Sequence, residues 1–343
     1  MIPHNRPFLG GDEIKNIKKV VISRNFSDGY FKKNFELELS KYLGIKKENI
    51  VLCSSGSAAL YLSMVALDIK KKKIAHPAYV CSAVKNAIAI AGNSSEILDV
   101  DTNGPNLNSR IINSSKSKFC IIPHTYGIPV DLTNIKNKII IEDCCQALGS
   151  KIGSKHVGLF GDISILSFYS TKLINTGGYG GAVFSKNRFL IDRIRDYINF
   201  DMKIDGKNRF NFNLSEVNAS IGFSQIKKIK QNLSIREMIF QKYKSIGFKM
   251  LENNNSNSYS AKFRCIILTK YQKKLINFLK KNKIISINPF LKTELLSKNI
   301  KLKNSILLTS KTVSLPIYPS LGLKKLNYII DILKKFKKKY PNS

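Results

Sequence analysis

The sequence predicts an α/β protein: a large domain with a mainly parallel central sheet flanked by helices, then a smaller C-terminal α+β domain. Three observations carry that prediction. The chain has 343 residues and 43% hydrophobic content, enough for a sizeable core and more than one domain. Through its first two-thirds, short β-rich runs alternate with segments of helical apolar spacing. From about residue 235 the texture changes to a helix, a polar loop and two further strand–helix pairs.

In chain order, the expected strands of the large domain are IVLC (50–53), EILDV (96–100), FCIIP (119–123), KIIIED (138–143) and ISILSFY (163–169). SAALYLSMVAL (57–67) and SAVKNAIAIAG (82–92) have apolar residues at helical spacing and lie between the first two strands. In the second part, QKYKSIGFKML (241–251) reads as a helix and 253–260 as a polar loop. FRCIIL (263–268), QKKLINFLKK (272–281), VSLPI (313–317) and KKLNYIIDILKKF (324–336) read as strand, helix, strand and helix. The expected domains are 1–235 and 236–343.

Bulk properties bound the function. Lys and Arg number 57 against 23 Asp and Glu, a net charge of +34. Such a balance can mark a nucleic-acid or membrane partner. Here the lysines are spread along the chain and Arg is scarce, whereas base readers favour the bidentate Arg fork. The charge therefore reads as a compositionally biased, solvated surface with a general attraction for anions. The six cysteines show neither a CxxC pair nor zinc spacing, so they read as reduced thiols in a cytoplasmic protein. No stretch approaches a membrane span, and MIPHNRPFLGGDE has no apolar signal core.

In a parallel α/β sheet, ligands bind beyond the carboxyl ends of the strands. Four strand ends draw the eye. After IVLC, Ser54-Ser55-Gly56-Ser57 leads into a helix whose first N–H groups could take a phosphate, or which is simply Ser-capped. After KIII come Glu142, Asp143 and, three residues past Asp143, Gln146. A carboxylate there needs a partner, such as a protonated heterocyclic nitrogen or a structural cation. His124 follows FCIIP, in either a structural or a catalytic role. Lys172 follows ISILSFY and precedes Gly177, Gly178, Gly180 and Gly181. A partly buried lysine is an amine nucleophile toward carbonyls. Together these features describe a pyridoxal phosphate pocket, with phosphate at the helix N-terminus, ring nitrogen at Asp143 and aldehyde at Lys172.

The same residues resemble the DegT/DnrJ/StrS sugar aminotransferases, of the aspartate-aminotransferase fold (fold type I). The resemblance runs in the family's order through RPFLGGDEI, SSGSAALYLS, HPAYVCSAVKNAIAIAG, LDVD, IIPHTYGIPVDL, IEDCCQALGS, GLFGDISILSFYSTK, NFNLSEVNASIGFSQI and VSLPIYPSL. It implies that Lys172 carries the cofactor as an internal aldimine, Asp143 pairs with the pyridine nitrogen and Gln146 contacts the ring hydroxyl. Gly56, Ser57 and Ser167 would hold the phosphate, joined by Asn211 from the neighbouring subunit of a homodimer. It further implies L-glutamate as amino donor and a nucleotide-linked keto-deoxy sugar as acceptor, in surface polysaccharide or related glycan synthesis. Dehydratase relatives carry histidine in place of the lysine.

The sequence departs from the family pattern at four places. Cys81 stands where many members stack an aromatic residue on the ring, and Tyr79 lies two residues earlier, so the ring face falls to Cys81 or Tyr79. The loop GGYGG contains an added Tyr179. Asn213 replaces a basic residue, and SINPFLKTELLS (286–297) occupies the place of a histidine-bearing loop. Two other readings stay open at this point. One keeps the fold and cofactor but takes a free keto sugar, a cyclitol or an amino acid. The other is a nucleic-acid- or membrane-binding protein, which would have no need of the Lys172–Asp143 pair.

Overall fold

The computed structural model describes residues 1–253, 255–297 and 301–341; Asn254, inside the polar loop expected over 253–260, lies outside the described residues. The chain opens with α1 (Gly11–Ser23) and α2 (Tyr30–Leu43). Then follow β1 (Ile50–Cys53), α3 (Gly56–Ala66), β2 (Lys73–Pro77), α4 (Ala83–Ile90), β3 (Ser94–Leu98), α5 (Ser109–Ser114), β4 (Phe119–Pro123) and β5 (Ile139–Asp143). A hairpin of β6 (Lys151–Ile152) and β7 (Lys155–His156) leads to β8 (Ile163–Ser167) and β9 (Gly181–Phe184). The remainder comprises α6 (Arg188–Ile198), α7 (Glu216–Lys227), α8 (Ile229–Lys244), β10 (Ser258–Tyr259), β11 (Cys265–Leu268), α9 (Gln272–Lys281), α10 (Lys303–Lys311), β12 (Thr312–Leu315) and α11 (Leu323–Lys339).

Seven strands form the central sheet in the order β1-β9-β8-β5-β4-β2-β3. All neighbours pair in parallel except β9, which runs antiparallel to both β1 and β8. The carboxyl ends of β1, β8, β5, β4, β2 and β3 therefore share one edge, where β9 begins.

Strand alternation explains how the sheet buries both faces. Ile50 and Leu52 of β1, Leu166 of β8, and Ala182 and Phe184 of β9 face one side, where Phe35 and Leu39 of α2 and Phe223 and Ile226 of α7 cover them. Val51 and Cys53, Ile163 and Ile165, and Val183 face the other, under α3, α4 and α6. Buried on both sides, these strands read as continuous apolar runs, which is why the sequence betrays them.

A separate core joins β11 and β12 to α8, α9 and α11. Ile2 belongs to it, with its backbone hydrogen-bonded to Lys283 and Ile285. The expected domain junction at 235/236 falls inside the continuous helix α8. The helix expected over 241–251 ends at Lys244 instead. Gly247 takes φ +88°, outside helical geometry, and Met250 bridges Ile267 in extended form. Among the described residues no helix is long and apolar enough to cross a membrane.

Candidate active site

At the shared strand edge lies a cavity of about 280 Å³, lined by residues that follow β1, β4, β5 and β8. Of the residues singled out above, it gathers Gly56, Ser57, Cys81, Asp143, Gln146, Ser167 and Lys172.

The phosphate-sized end is built by β1 and α3. Ser55 caps α3, its hydroxyl accepting from the Ala58 N–H at 3.0 Å and its carbonyl from the Ala59 N–H at 3.0 Å. The Gly56 and Ser57 N–H groups precede these in the first turn and stay available at the positive end of the helix dipole. A Cβ on Gly56 would sit 2.8 Å from Ser167 Cβ, so the cradle closes only over glycine. Gly181 serves the other side, because a side chain there would collide with the Ser55 carbonyl.

Alternation along β5 decides which of two adjacent acids faces the cavity. Glu142 points inward and is fully buried. It accepts from Gly158 (2.7 Å), Phe160 (2.7 Å) and Gly161 (2.5 Å) backbone N–H groups and from His124 Nε2 at 3.0 Å. Burial alone would raise its pKa. The His124 hydrogen bond and the backbone donors outweigh burial and hold the pKa below the usual carboxylate range. His124 Nδ1 accepts from the Val130 N–H at 3.0 Å, which puts the imidazole proton on Nε2. His124 thus borders the cavity with both ring nitrogens engaged, in a structural role.

Asp143 points the other way, into the cavity. One carboxylate oxygen accepts from the Cys145 N–H at 3.0 Å, and among the described residues no cation lies within ion-pair distance of it. The site therefore offers a half-buried carboxylate to a ligand cation. Gln146 is oriented by the Tyr126 N–H, which donates to its Oε1 at 2.8 Å. That leaves the amide nitrogen as its donor toward the cavity.

Lys172 lies not on β8 but in the turn after it, its N–H bonded to the Tyr169 carbonyl at 2.8 Å. The glycine loop folds back over this turn, with Gly178 bridging Tyr169 and its carbonyl accepting from the Ser170 N–H. Gly177 takes φ +80°, which suits glycine. Lys172 Nζ stands 5.4 Å from the Phe263 ring centroid, and no carboxylate pairs with it among the described residues. An unpaired amine, an unpaired carboxylate and a free helix N-terminus face one space. That set fits a group carrying an aldehyde, a protonated ring nitrogen and a phosphate.

Of the two ring-face candidates, Cys81 lines the cavity. Tyr79 is fully buried, its hydroxyl 2.7 Å from that of Tyr126 and its ring 4.5 Å from Phe290. Asn211 is exposed and does not line the cavity within one chain; the neighbouring Phe212 carbonyl accepts from the Ser54 N–H at 2.7 Å. Phe290, Tyr179 and Thr125 are among the other residues of the walls. Phe290 was not predictable, since its loop is far away in sequence and meets the large domain through the Leu296 N–H bond to the Ala78 carbonyl and the packing of Phe290 on Tyr79.

The DegT/DnrJ/EryC1/StrS aminotransferase family model matches residues 7–334. GDP-perosamine synthase of Escherichia coli O157:H7 is 27% identical over 98% of this chain and 98% of its own. A UDP-4-amino-4,6-dideoxy-N-acetyl-beta-L-altrosamine transaminase of Campylobacter jejuni is 30% identical over 71% of this chain and 69% of its own. Among solved structures, the aminotransferase TlmJ of Streptoalloteichus hindustanus superposes with a TM-score of 0.92 at 21% identity, covering 99% of both chains, a likeness of fold.

Proposed function

Because the chain belongs to the DegT/DnrJ/EryC1/StrS aminotransferase family and is a pyridoxal-phosphate-dependent aminotransferase, we propose that the cavity around Lys172 is its active site and a nucleotide-linked keto sugar its acceptor. One observation carries the assignment: Lys172, Asp143 and the first turn of α3 converge on a single cavity, each without a counter-group from the described protein. The relatives named above, a GDP-sugar synthase and a UDP-sugar transaminase, support the acceptor class.

Pyridoxal phosphate supplies the aldehyde that exchanges oxygen for an amino group and the ring that takes up the electron pair as the donor's α-proton leaves. The chain's own residues divide the remaining work. Gly56 and Ser57 N–H groups, with the Ser57 and Ser167 hydroxyls, hold the phosphate. The Asp143 carboxylate keeps the ring nitrogen protonated, as a negative charge at close range does. The Gln146 amide nitrogen donates to the ring hydroxyl. Cys81 packs on a ring face. Lys172 Nζ anchors the cofactor at rest and, once free, takes the donor's α-proton and returns it. Asn211 reaches the phosphate of the neighbouring subunit in a homodimer. L-glutamate is the donor, and the enzyme works in the cytoplasm on sugars for surface polysaccharide.

The test is product formation. Purified protein with pyridoxal phosphate and L-glutamate is given GDP-, UDP- and dTDP-linked 4-keto-6-deoxy sugars, and 2-oxoglutarate is measured. Release that depends on one of these sugars supports the proposal. Release with a free keto sugar or cyclitol, and none with any nucleotide sugar, would replace it with the non-nucleotide reading.

A further inference from the structure

We propose that the outer face formed by α9 and α11 docks on a membrane surface rich in anionic phospholipid. The face is independent of the Lys172 assignment.

The positive charge of the chain is shared unevenly. Residues 1–235 contain 33 Lys and Arg against 19 Asp and Glu, whereas residues 236–343 contain 24 against 4. A uniform bias toward lysine would not strip the acids from one part. The fold then gathers the excess. On α9, Lys273, Lys274, Lys280 and Lys281 are exposed, while Leu275 and Leu279 are buried. On α11, Lys324, Lys325, Lys334, Lys335, Lys338 and Lys339 are exposed, while Leu326, Ile329, Leu333 and Phe336 are buried. The helical period thus turns the lysines of each helix outward. The two helices lie side by side and antiparallel. Tyr271, just before α9, meets Tyr340, just after α11, at 5.1 Å between ring centroids. Tyr328, in the first half of α11, donates to the carbonyl of Asn282, just after α9, at 3.2 Å. The lysines therefore share one face, about 25 Å long at the rise of the 17-residue α11.

Nothing on the face offsets this charge. Asp331 is the one acid on either helix. Among the described residues, the ion pair found after residue 235 joins Lys244 of α8 to Glu252, and none involves α9 or α11. On the large domain, by contrast, Lys41 meets Glu38, Lys228 meets Asp12 and Glu13, and Arg209 meets Asp196 and Asp205. Sidedness argues against a role in drawing substrate to the cavity. Cys265 and Ile267 of β11 pack with α9 and α11, whereas Ile266 between them packs with Tyr79 and Tyr126 on the large-domain side. The lysine face lies across the β11–β12 sheet from the cavity, and docking on it engages no cavity residue. What binds there must be a broad array of negative charge. A second copy carries the same lysines and is repelled. The Arg fork that base readers favour is missing from the face, since Arg236 is buried and Arg264 lies half-buried before β11. Tyr328 is the exposed aromatic ring of the two helices, too little to stack a run of bases. A bilayer surface instead presents its phosphates in a plane. Each lysine acts there as a point charge, its stem along the helix and its ammonium among the headgroups.

The test takes the full chain, loaded with pyridoxal phosphate, and measures its co-sedimentation with vesicles of phosphatidylglycerol and phosphatidylcholine in equal parts, beside vesicles of phosphatidylcholine alone. Wild type should bind the anionic vesicles and not the neutral ones, and should come off as salt rises from about 0.05 M to about 0.5 M, because salt screens such contacts. Changing Lys273, Lys274, Lys280 and Lys281 together to Gln should weaken that binding about a hundredfold or more, since each lysine at an anionic surface contributes about fivefold. Changing Lys18, Lys19, Lys71 and Lys72, exposed on the large domain, removes the same charge from elsewhere and should weaken it less than about threefold. Exposed Lys→Gln changes leave the fold intact, which a thermal melt of both variants checks. The proposal is overturned if wild type ignores anionic vesicles at low salt, or if the two variants weaken binding alike, which would reduce the face to a share of the overall charge. It is also overturned if an RNA or DNA oligonucleotide displaces the protein from the vesicles at equal phosphate concentration, which would give the face to nucleic acid.

Discussion

Replacing Gly56 with alanine should weaken cofactor binding far more than it weakens the fold. The new Cβ would lie 2.8 Å from Ser167 Cβ, 3.0 Å from Ser167 Oγ and 3.5 Å from Cys145 Sγ. Carbon atoms rest at about 3.5–4.0 Å, so roughly an ångström of overlap must be relieved. Ser167 cannot retreat, because β8 is locked between β5 and β9. The first turn of α3 must move instead, and with it the Gly56 and Ser57 N–H groups. Overpacking costs about 1–3 kcal/mol, partly offset by up to about 1 kcal/mol for removing a helical glycine. The fold should therefore lose about 1 kcal/mol. Misplacing one or two hydrogen bonds to a charged phosphate costs about 1.5–3 kcal/mol more, or about tenfold to a hundredfold in affinity. The assay is a titration of apo-protein with pyridoxal phosphate, beside a thermal melt. Gly11→Ala is the matched control: Gly11 is the first residue of α1, a Cβ there meets nothing within 4 Å, and its effect should be neutral or slightly stabilising. If Gly56→Ala binds pyridoxal phosphate within twofold of wild type, the phosphate cradle is wrongly placed.

Asp143→Asn should retain cofactor yet slow the glutamate half-reaction on the order of a hundredfold, as loss of one preorganised electrostatic partner does; single-turnover absorbance checks this. Glu142→Gln should cost about 2–4 kcal/mol in a denaturant titration. Each Glu142 oxygen accepts two hydrogen bonds, so either orientation of the amide turns its NH₂ against two donors. His156 is buried, and desolvation, then the Lys151 charge, lower its pKa to about 4. The unfolded chain, with a histidine near 6.5, takes up the proton first, so this stability is intact above about pH 6.5 and lost as pH falls toward 4. The loss should reach about 3 kcal/mol. Melting curves from pH 7 to 4.5 should show a slope that His156→Gln reduces; an unchanged slope would assign the acid sensitivity elsewhere.

The residues most legible in the sequence are those whose local context already encodes their role. β1 and β4 fall where the apolar runs place them, because a strand covered on both faces cannot hide its composition. Two strands of the central sheet escaped. β2 (Lys73–Pro77) opens in a lysine run and closes on proline, and β9 opens on a glycine that reads as loop. Lys172, Asp143 and Gly56 were legible since each sits beside a strand end with an unusual neighbour. The choice of Cys81 over Tyr79 for the cavity wall was not, because it depends on Tyr79 turning inward to meet Tyr126.

The central claim is that Lys172, out of this chain's many lysines, carries the cofactor. The direct measurement is to load the protein with pyridoxal phosphate, reduce it with borohydride, and locate the pyridoxyl group by peptide mass mapping. The account predicts one modified peptide, containing Lys172, and no stable label in Lys172→Ala. A label on another lysine, or stoichiometric labelling that survives in Lys172→Ala, would contradict it.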